Sequence, residues 1–362
     1  MISTIEIRGY KSIKNQIVKL RPLNILIGGN GVGKSNFISV FSLVRNLYEG
    51  TLQNYLIKKG GSDHFLYSGS KITDEIFVSF TFQLESLIQN SVEFTLQNGT
   101  NSLFIKELNT GFKASDEKWF KKNYEKNIPE SSFSQIKDGQ AWYINKLLKD
   151  FEVYHFHDTS DTSPIKKGSA INDNRYLKKD GSNLASFLYY LHQKHINHFR
   201  RIEKAVQSIA PFFSRFVLEP NKLNPEYVLL EWLENNNYEN IFNAHNLSDG
   251  TLRFICIATL LLQPEPPKTI IIDEPELGLH PIAINKLCDL FKMVSENGIQ
   301  VVISTQSVTL LDNFEVEDII ITERKDNSTV FRRLKADELE ISPKEYSLGE
   351  IWEKNIIGGL PF

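Results

Sequence analysis

Gly28-Gly29-Asn30-Gly31-Val32-Gly33-Lys34-Ser35 is a complete G-x-x-x-x-G-K-[ST] phosphate-binding loop. The spacing has a mechanism. Gly28 and Gly33 let the backbone bend until successive N–H groups face one anion, Lys34 reaches the terminal phosphates, and the Ser35 hydroxyl can ligate Mg²⁺. The flanks fit. Leu23 to Ile27 is an apolar run suited to a buried strand, and apolar residues at 37, 38, 41 and 44 give helical spacing from Ser35 onward. Strand, glycine loop and helix N-terminus, with Asn36 in its first turn, form a cradle for ATP from Gly28 to Asn36.

Two further stretches carry matching chemistry. Lys268 to Glu274 reads Lys-Thr-Ile-Ile-Ile-Asp-Glu, an apolar strand ending in two carboxylates. In a nucleotide site Asp273 holds the Mg²⁺ shell and Glu274 polarises the attacking water. Without the upstream loop the same pair is a solvated strand end. Leu247-Ser248-Asp249-Gly250-Thr251 precedes an apolar helix from Leu252 to Leu262. By itself this is a helix N-cap; with Gly250 beside it, Ser248 can also offer a hydroxyl and backbone N–H groups to an anion.

Phosphate loop, then Leu-Ser-x-Gly, then Asp-Glu resembles the ATP-binding cassette class and not kinases or GTPases. The resemblance implies an α/β P-loop NTPase of ABC type, with an antiparallel β-subdomain and a mixed, mostly helical inserted lobe. It also implies a head-to-tail homodimer, with Ser248 and Gly250 of one subunit capping the γ-phosphate held by the other. Asp273-Glu-Pro-Glu-Leu-Gly-Leu-His-Pro281 narrows the family. That run is similar to the RecF-like and OLD-like (overcoming-lysogenization-defect) AAA ATPases of bacterial DNA repair and phage defence. The opening Ile5-Glu-Ile-Arg-Gly-Tyr-Lys-Ser-Ile13 agrees, and Ser182-Asn183-Leu184-Ala185 does so more loosely.

One position departs from that group, which carries Ser-Thr-His-Ser after the next strand. Here the chain reads Ser304-Thr305-Gln306-Ser307. Gln306 can hydrogen-bond a phosphate oxygen or the water but cannot carry a proton or a charge. Slow turnover and a long-lived ATP-bound state are expected. Gln83 is one candidate for the Q-loop glutamine.

The chain has 362 residues, 41% hydrophobic content and a net charge of −3, enough for a core in about two lobes. No apolar run nears the roughly 20 residues that span a bilayer, and the start lacks a signal peptide's apolar segment. A cytoplasmic protein with no membrane role is expected. The two cysteines, Cys256 and Cys288, fall in expected buried helices and read as reduced core thiols.

Residues 5–20 alternate like a hairpin, and 76–82 and 92–106 add strands around Asn98-Gly99. The expected ATPase core is 1–106 and 241–362, interrupted by a lobe at 107–240. That lobe has helix-like stretches at 131–150 and 183–210 and strand-like ones at 151–157 and 226–233. It has no sustained heptads, so the arms of structural-maintenance relatives are absent and only a head is expected. Lys121-Lys122, Lys166-Lys167, Lys178-Lys179 and Arg200-Arg201 with Lys204 could track a nucleic-acid backbone or form ordinary solvated surface. His192, His195 and His198 drift around their helix and lack further ligands, so surface histidines are expected over a metal site. Residues 154–158, Tyr-His-Phe-His-Asp, alternate like a strand at a core edge.

OLD-type nucleases carry a TOPRIM domain, and too few residues follow Ser307 for one. A separate effector, a TOPRIM-like nuclease, is therefore the expected partner. The run from Gly349 to Phe362 is unusually apolar; it docks on the chain's own core or anchors a partner. Two readings stand. One is the ATPase subunit of a phage-defence system that gates an effector. The other is a RecF-like repair or chromosome-maintenance ATPase that binds DNA directly.

Overall fold

The structure, a computed structural model, describes residues 1–83, 88–100, 102–114, 118–235, 237–339 and 346–359. Along the chain run β1 (Ile2–Tyr10), β2 (Ile13–Lys19), β3 (Leu23–Ile27), α1 (Lys34–Tyr48), α2 (Leu52–Lys58), β4 (Glu75–Gln83), β5 (Ile88–Asn98), β6 (Leu103–Ala114), β7 (Phe120–Ile128), α3 (Gly139–Leu148) and β8 (Glu152–Tyr154). A middle stretch holds β9 (Ser169–Ala170), α4 (Leu184–Lys194), α5 (Ile196–Ile209), β10 (Phe213–Val217), β11 (Tyr227–Val228), β12 (Glu231–Glu234), β13 (Asn237–Asn243) and α6 (Asp249–Leu262). Then follow β14 (Thr269–Asp273), α7 (Pro281–Glu296), β15 (Gln300–Thr305), α8 (Val308–Leu311), β16 (Ile319–Lys325), β17 (Ser328–Arg333) and α9 (Leu348–Glu353). The chain divides into two compact units, Met1–Val153 with Lys268–Ile271 and Gly298–Phe362, and Tyr154–Pro267 with Ile272–Asn297.

The first unit is built on two sheets. One is antiparallel, in the order β2-β1-β4-β5-β6-β7; the other runs β17-β16-β3-β15-β14-β8, with β3 parallel to both β15 and β16. Every residue of β3 is buried, as a central parallel strand requires. Its one polar residue, Asn24, is tolerated because its amide donates to the Arg21 and Val301 carbonyls at 2.6 and 3.2 Å. Helix α1 lies in the core. Phe41 meets Phe80 and Phe151 with ring centroids 5.6 and 5.4 Å away, and Phe37 meets Phe331 at 5.0 Å. These edge-on and tilted contacts join the helix to both sheets.

The second unit centres on α6, which is buried along nearly its whole length after Asp249 and packs against α5 and α7. A small antiparallel sheet, β10-β12-β13, stacks Trp232 between Phe213 and Phe242.

Four expectations are corrected. β6 and β7 carry the antiparallel sheet to residue 128, well past 106. The stretch 131–150 is helical only from Gly139, after a single 3₁₀ turn at Phe133–Gln135. The stretch 183–210 is two helices broken at His195, whose φ of −136° and ψ of 52° are not helical. The strand expected at 226–233 is two short pieces, β11 and the start of β12. The tail is docked within its own unit, where α9 buries Ile351 and Trp352; Leu360 to Phe362 lie outside the described residues.

Candidate functional site

In the first unit β3 delivers the chain to the C-terminal end of the parallel strands, where ligands of open α/β sheets bind. Ile27 is in register with Thr305 on one side and Ile321 on the other. Gly28 and Gln306 therefore leave the sheet at one end, beside Thr322 of β16, which continues to Lys325. The loop then turns through Gly33, which caps α1 with φ 115° in the left-handed region. A Cβ there would stand 2.2 Å from the Thr329 hydroxyl, so only glycine fits.

Lys34 is 5% exposed, and its ammonium donates to the carbonyls of Gly28 and Gly29 at 2.7 and 3.0 Å. These two bonds fold the cation back over the loop instead of letting it range through solvent. Ser35 stays exposed, and the first turn of α1 carries no acidic residue. The donor set fits a polyphosphate: a helix N-terminus, a positioned ammonium and no acidic residue in the helix's first turn. Among the described residues no group of three or more His, Cys, Asp or Glu side chains could hold a metal ion.

A cleft of about 550 Å³ adjoins this loop and was not foreseen from sequence. Asn36 of α1 and the Lys11-Ser12 turn of the β1–β2 hairpin line it, facing His64, Phe65 and Tyr67. Lys11 adopts φ 48° and donates from its ammonium to Ser39 Oγ at 2.8 Å. Its cation lies 5.3 Å from the Tyr10 ring and 5.5 Å from that of Phe65. Burial, with Lys59 nearby, lowers the Lys11 pKa to about 8.

In the second unit Asp273 ends β14, and Glu274 follows at φ 47°, a left-handed conformation that costs a non-glycine residue about 1–2 kcal/mol. Held strain of this kind clusters at functional positions. Ser248 caps α6, accepting from the Thr251 N–H at 3.1 Å, and remains exposed. Gly250 is there for space, because a Cβ would lie 2.2 Å from the Gly278 carbonyl. Arg253 locks the same contact. Its guanidinium donates to Leu277 O at 2.6 Å, His157 O at 2.7 Å and Phe156 O at 3.2 Å. The turn at Ser248 and the loop after Glu274 are thus tied together, by an arginine the sequence gave no reason to single out.

The remaining candidates have ordinary partners. Gln83 accepts the Gln89 amide at 2.8 Å at the end of β4. His195 meets the Tyr190 hydroxyl and His198 the Leu262 carbonyl. Three of the expected basic pairs face carboxylates, the first with both lysines and the others with one: Lys121 to Glu93 and Lys122 to Asp138, Lys166 to Asp161 and Asp249, and Lys178 to Asp173. Cys256 and Cys288 are buried free thiols, and burial raises both pKa values.

A family model described as "AAA domain, putative AbiEii toxin, Type IV TA system" matches residues 23–312. The Old nuclease of Escherichia phage P2 is 23% identical over 385 residues, covering 94% of this chain. The chain spans 62% of that relative's length. The energy-coupling factor transporter ATP-binding protein EcfA of Methanocaldococcus jannaschii is 37% identical over 68 residues, 18% of this chain and 23% of its own. Among solved structures, an Smc head bound to the C-terminal winged-helix domain of ScpA superposes with TM-score 0.60 at 15% identity, covering 93% of this chain and 98% of that one. An Smc head with an extended coiled coil and the ScpA C-terminal domain, derived from Pyrococcus furiosus, gives TM-score 0.60 at 14% identity, covering 93% and 97%. These likenesses give the fold. Among the described residues no helix is long and apolar enough to cross a membrane.

Proposed function

This chain belongs to that AAA-domain family and is an ABC/AAA-type ATPase of the RecF- and OLD-like group, from which we propose that it is a slow, ATP-closed switch. Two copies meet head to tail, and the closed dimer gates a separate effector, a TOPRIM-like nuclease, in phage defence. The observation that carries the shared site is the exposure of Ser248 at the start of α6, a helix otherwise buried almost throughout. A helix N-terminus open to solvent, with a hydroxyl at its cap, can close on a phosphate held by another copy. The likeness to Old nuclease across most of the chain supports the defence role.

In this reading the N–H groups from Gly28 to Asn36 cradle the phosphates, and Lys34 moves from the loop carbonyls to the terminal phosphate. Ser35 and Asp273 hold Mg²⁺, which when bound neutralises phosphate charge. Glu274 orients the attacking water, and Gln306 donates a neutral hydrogen bond at the same end of the sheet as Gly28. The Lys11 and Asn36 cleft takes the nucleoside end, with Phe65 and Tyr67 as apolar walls. Of residues 107–240, those after Val153 form the lobe inserted in the core.

Glu274→Gln keeps the shape of the side chain and removes its charge. It is expected to bind ATP as the parent does and to turn over roughly 10²-fold more slowly. Lys34→Ala should instead lose binding of a non-hydrolysable ATP analogue in calorimetry. Parental turnover by Glu274→Gln would end the catalytic assignment. ATP-dependent capture of DNA by the purified protein alone, with no effector present, would favour the repair reading instead.

A further inference from the structure

Two peptide planes of the phosphate loop are gripped from outside by the chain that follows Gln306. Thr329, fully buried in β17, donates its hydroxyl to the Val32 carbonyl at 2.8 Å. Its own backbone N–H donates to Ser12 O at 2.7 Å, which fixes β17 against the β1–β2 turn. The Ser12 and Thr329 hydroxyls are 2.7 Å apart, and the Asn36 amide donates to Ser12 Oγ at 2.7 Å. Because the Thr329 proton is committed to Val32, Ser12 must donate to Thr329. The result is a one-way relay from Asn36 through Ser12 and Thr329 to Val32, each bond polarising the next. At the loop's other end Gly29 N–H donates to Gly359 O at 2.6 Å, and Gly359 N–H is held by Glu323 at 3.0 Å.

A trans peptide is planar, so its C=O and N–H point in opposite directions. Holding the Val32 carbonyl from behind aims the Gly33 N–H into the cradle. Holding the Gly29 N–H from behind turns the Gly28 carbonyl toward Lys34, where the 2.7 Å bond is found. Each external bond sets an internal one. A glycine-rich loop left to itself would sample flipped peptides and lose part of its affinity to ordering.

We propose that Thr329 is a positioning residue for nucleotide binding, holding the Val32–Gly33 peptide with its N–H toward the phosphates. Ser12 and Asn36 polarise that bond. This rests on the reading of residues 28–36 as an ATP cradle.

The test measures binding of the non-hydrolysable analogue AMP-PNP with Mg²⁺ to the whole chain by calorimetry, alongside steady-state ATPase and thermal melting. Thr329→Val keeps the shape and deletes the hydroxyl; Thr329→Ser keeps the hydroxyl. The expected result for Thr329→Val is a Kd and KM for ATP raised about tenfold, the equivalent of one lost hydrogen bond, with kcat within about twofold. Thr329→Ser should restore parental values, and Ser12→Ala should give a smaller rise in the same direction. Parental affinity in a folded Thr329→Val protein overturns the proposal. So does a matching loss in Thr329→Ser, which would trace the effect to the missing methyl group. If Thr329→Val does not fold, Ser12→Ala with parental affinity is the overturning result. Failure of the parent itself to bind AMP-PNP would defeat the cradle reading instead.

Discussion

Lys11 shows how a side chain that a motif search passes over can shape a site. Its ammonium is mostly buried beside Lys59, and burial lowers its pKa from 10.5 to about 8. A base whose folded pKa is depressed binds fewer protons than the unfolded chain between those two values. Its burial therefore destabilises the fold most below pH 8, and that cost fades as pH rises toward 10.5. Lys11→Met removes the titration. The stability of Lys11→Met relative to the parent, from urea melts, should be most favourable near pH 7.5 and fall steadily by pH 10. A difference independent of pH would mean that the ammonium is well solvated. The phosphate loop was legible because its chemistry lies in eight contiguous residues. Thr329 was not, because its bond to Val32 joins positions 297 residues apart. Arg253 and Lys11 were hidden for the same reason: spacing along a chain carries no trace of carbonyls gathered by folding.

Strands and helices with a strong pattern were read well. β3, α1, α6 and β14 all fall where apolar runs and caps placed them. β7 was missed for a physical reason. As an edge strand it is exposed at most positions, and its one buried residue is Glu125, so no alternation marks it. Glu125 is tolerated because Ser131 Oγ and Ser132 N–H donate to it at 2.6 and 2.7 Å. The apolar run after Gly349 left two choices open, and α9 resolves them for Ile351 and Trp352, which are 0% and 4% exposed. The N-terminus of α9 is fixed by a capping box, Ser347 with Glu350, and by Asp312 accepting the Gly349 N–H. Trp352→Ala should lower stability by about 3 kcal/mol, the cost of a large aromatic void, seen as a clear drop in melting temperature. A parental melt would identify Trp352 as an anchor for a partner and not part of this core.

In the proposed reading a single copy carries two half-sites: the phosphate loop on one compact unit, and the exposed Ser248 turn, clamped to the loop after Glu274, on the other. Arg253 ties the second half to the loop after Glu274, so in that reading a phosphate meeting Ser248 would be felt just beyond Glu274. Two copies arranged head to tail would complete both sites at once, and closing the dimer would then depend on ATP. Ser248→Arg places a bulky charge at the proposed junction, on an exposed residue, and so should spare folding and AMP-PNP binding while abolishing hydrolysis. Lys34→Ala should be inactive for the other reason, having lost its phosphate grip. Mixed together, the two proteins form some dimers in which one intact loop faces one intact Ser248 turn. Those mixed dimers should regain up to about half of the parental turnover per dimer, since one of two sites is whole. Activity should rise with the mixed fraction measured by differential tagging. If mixed dimers are present and turnover stays at zero, Ser248 does not complete the partner's site, and ATP would have to be hydrolysed within one copy.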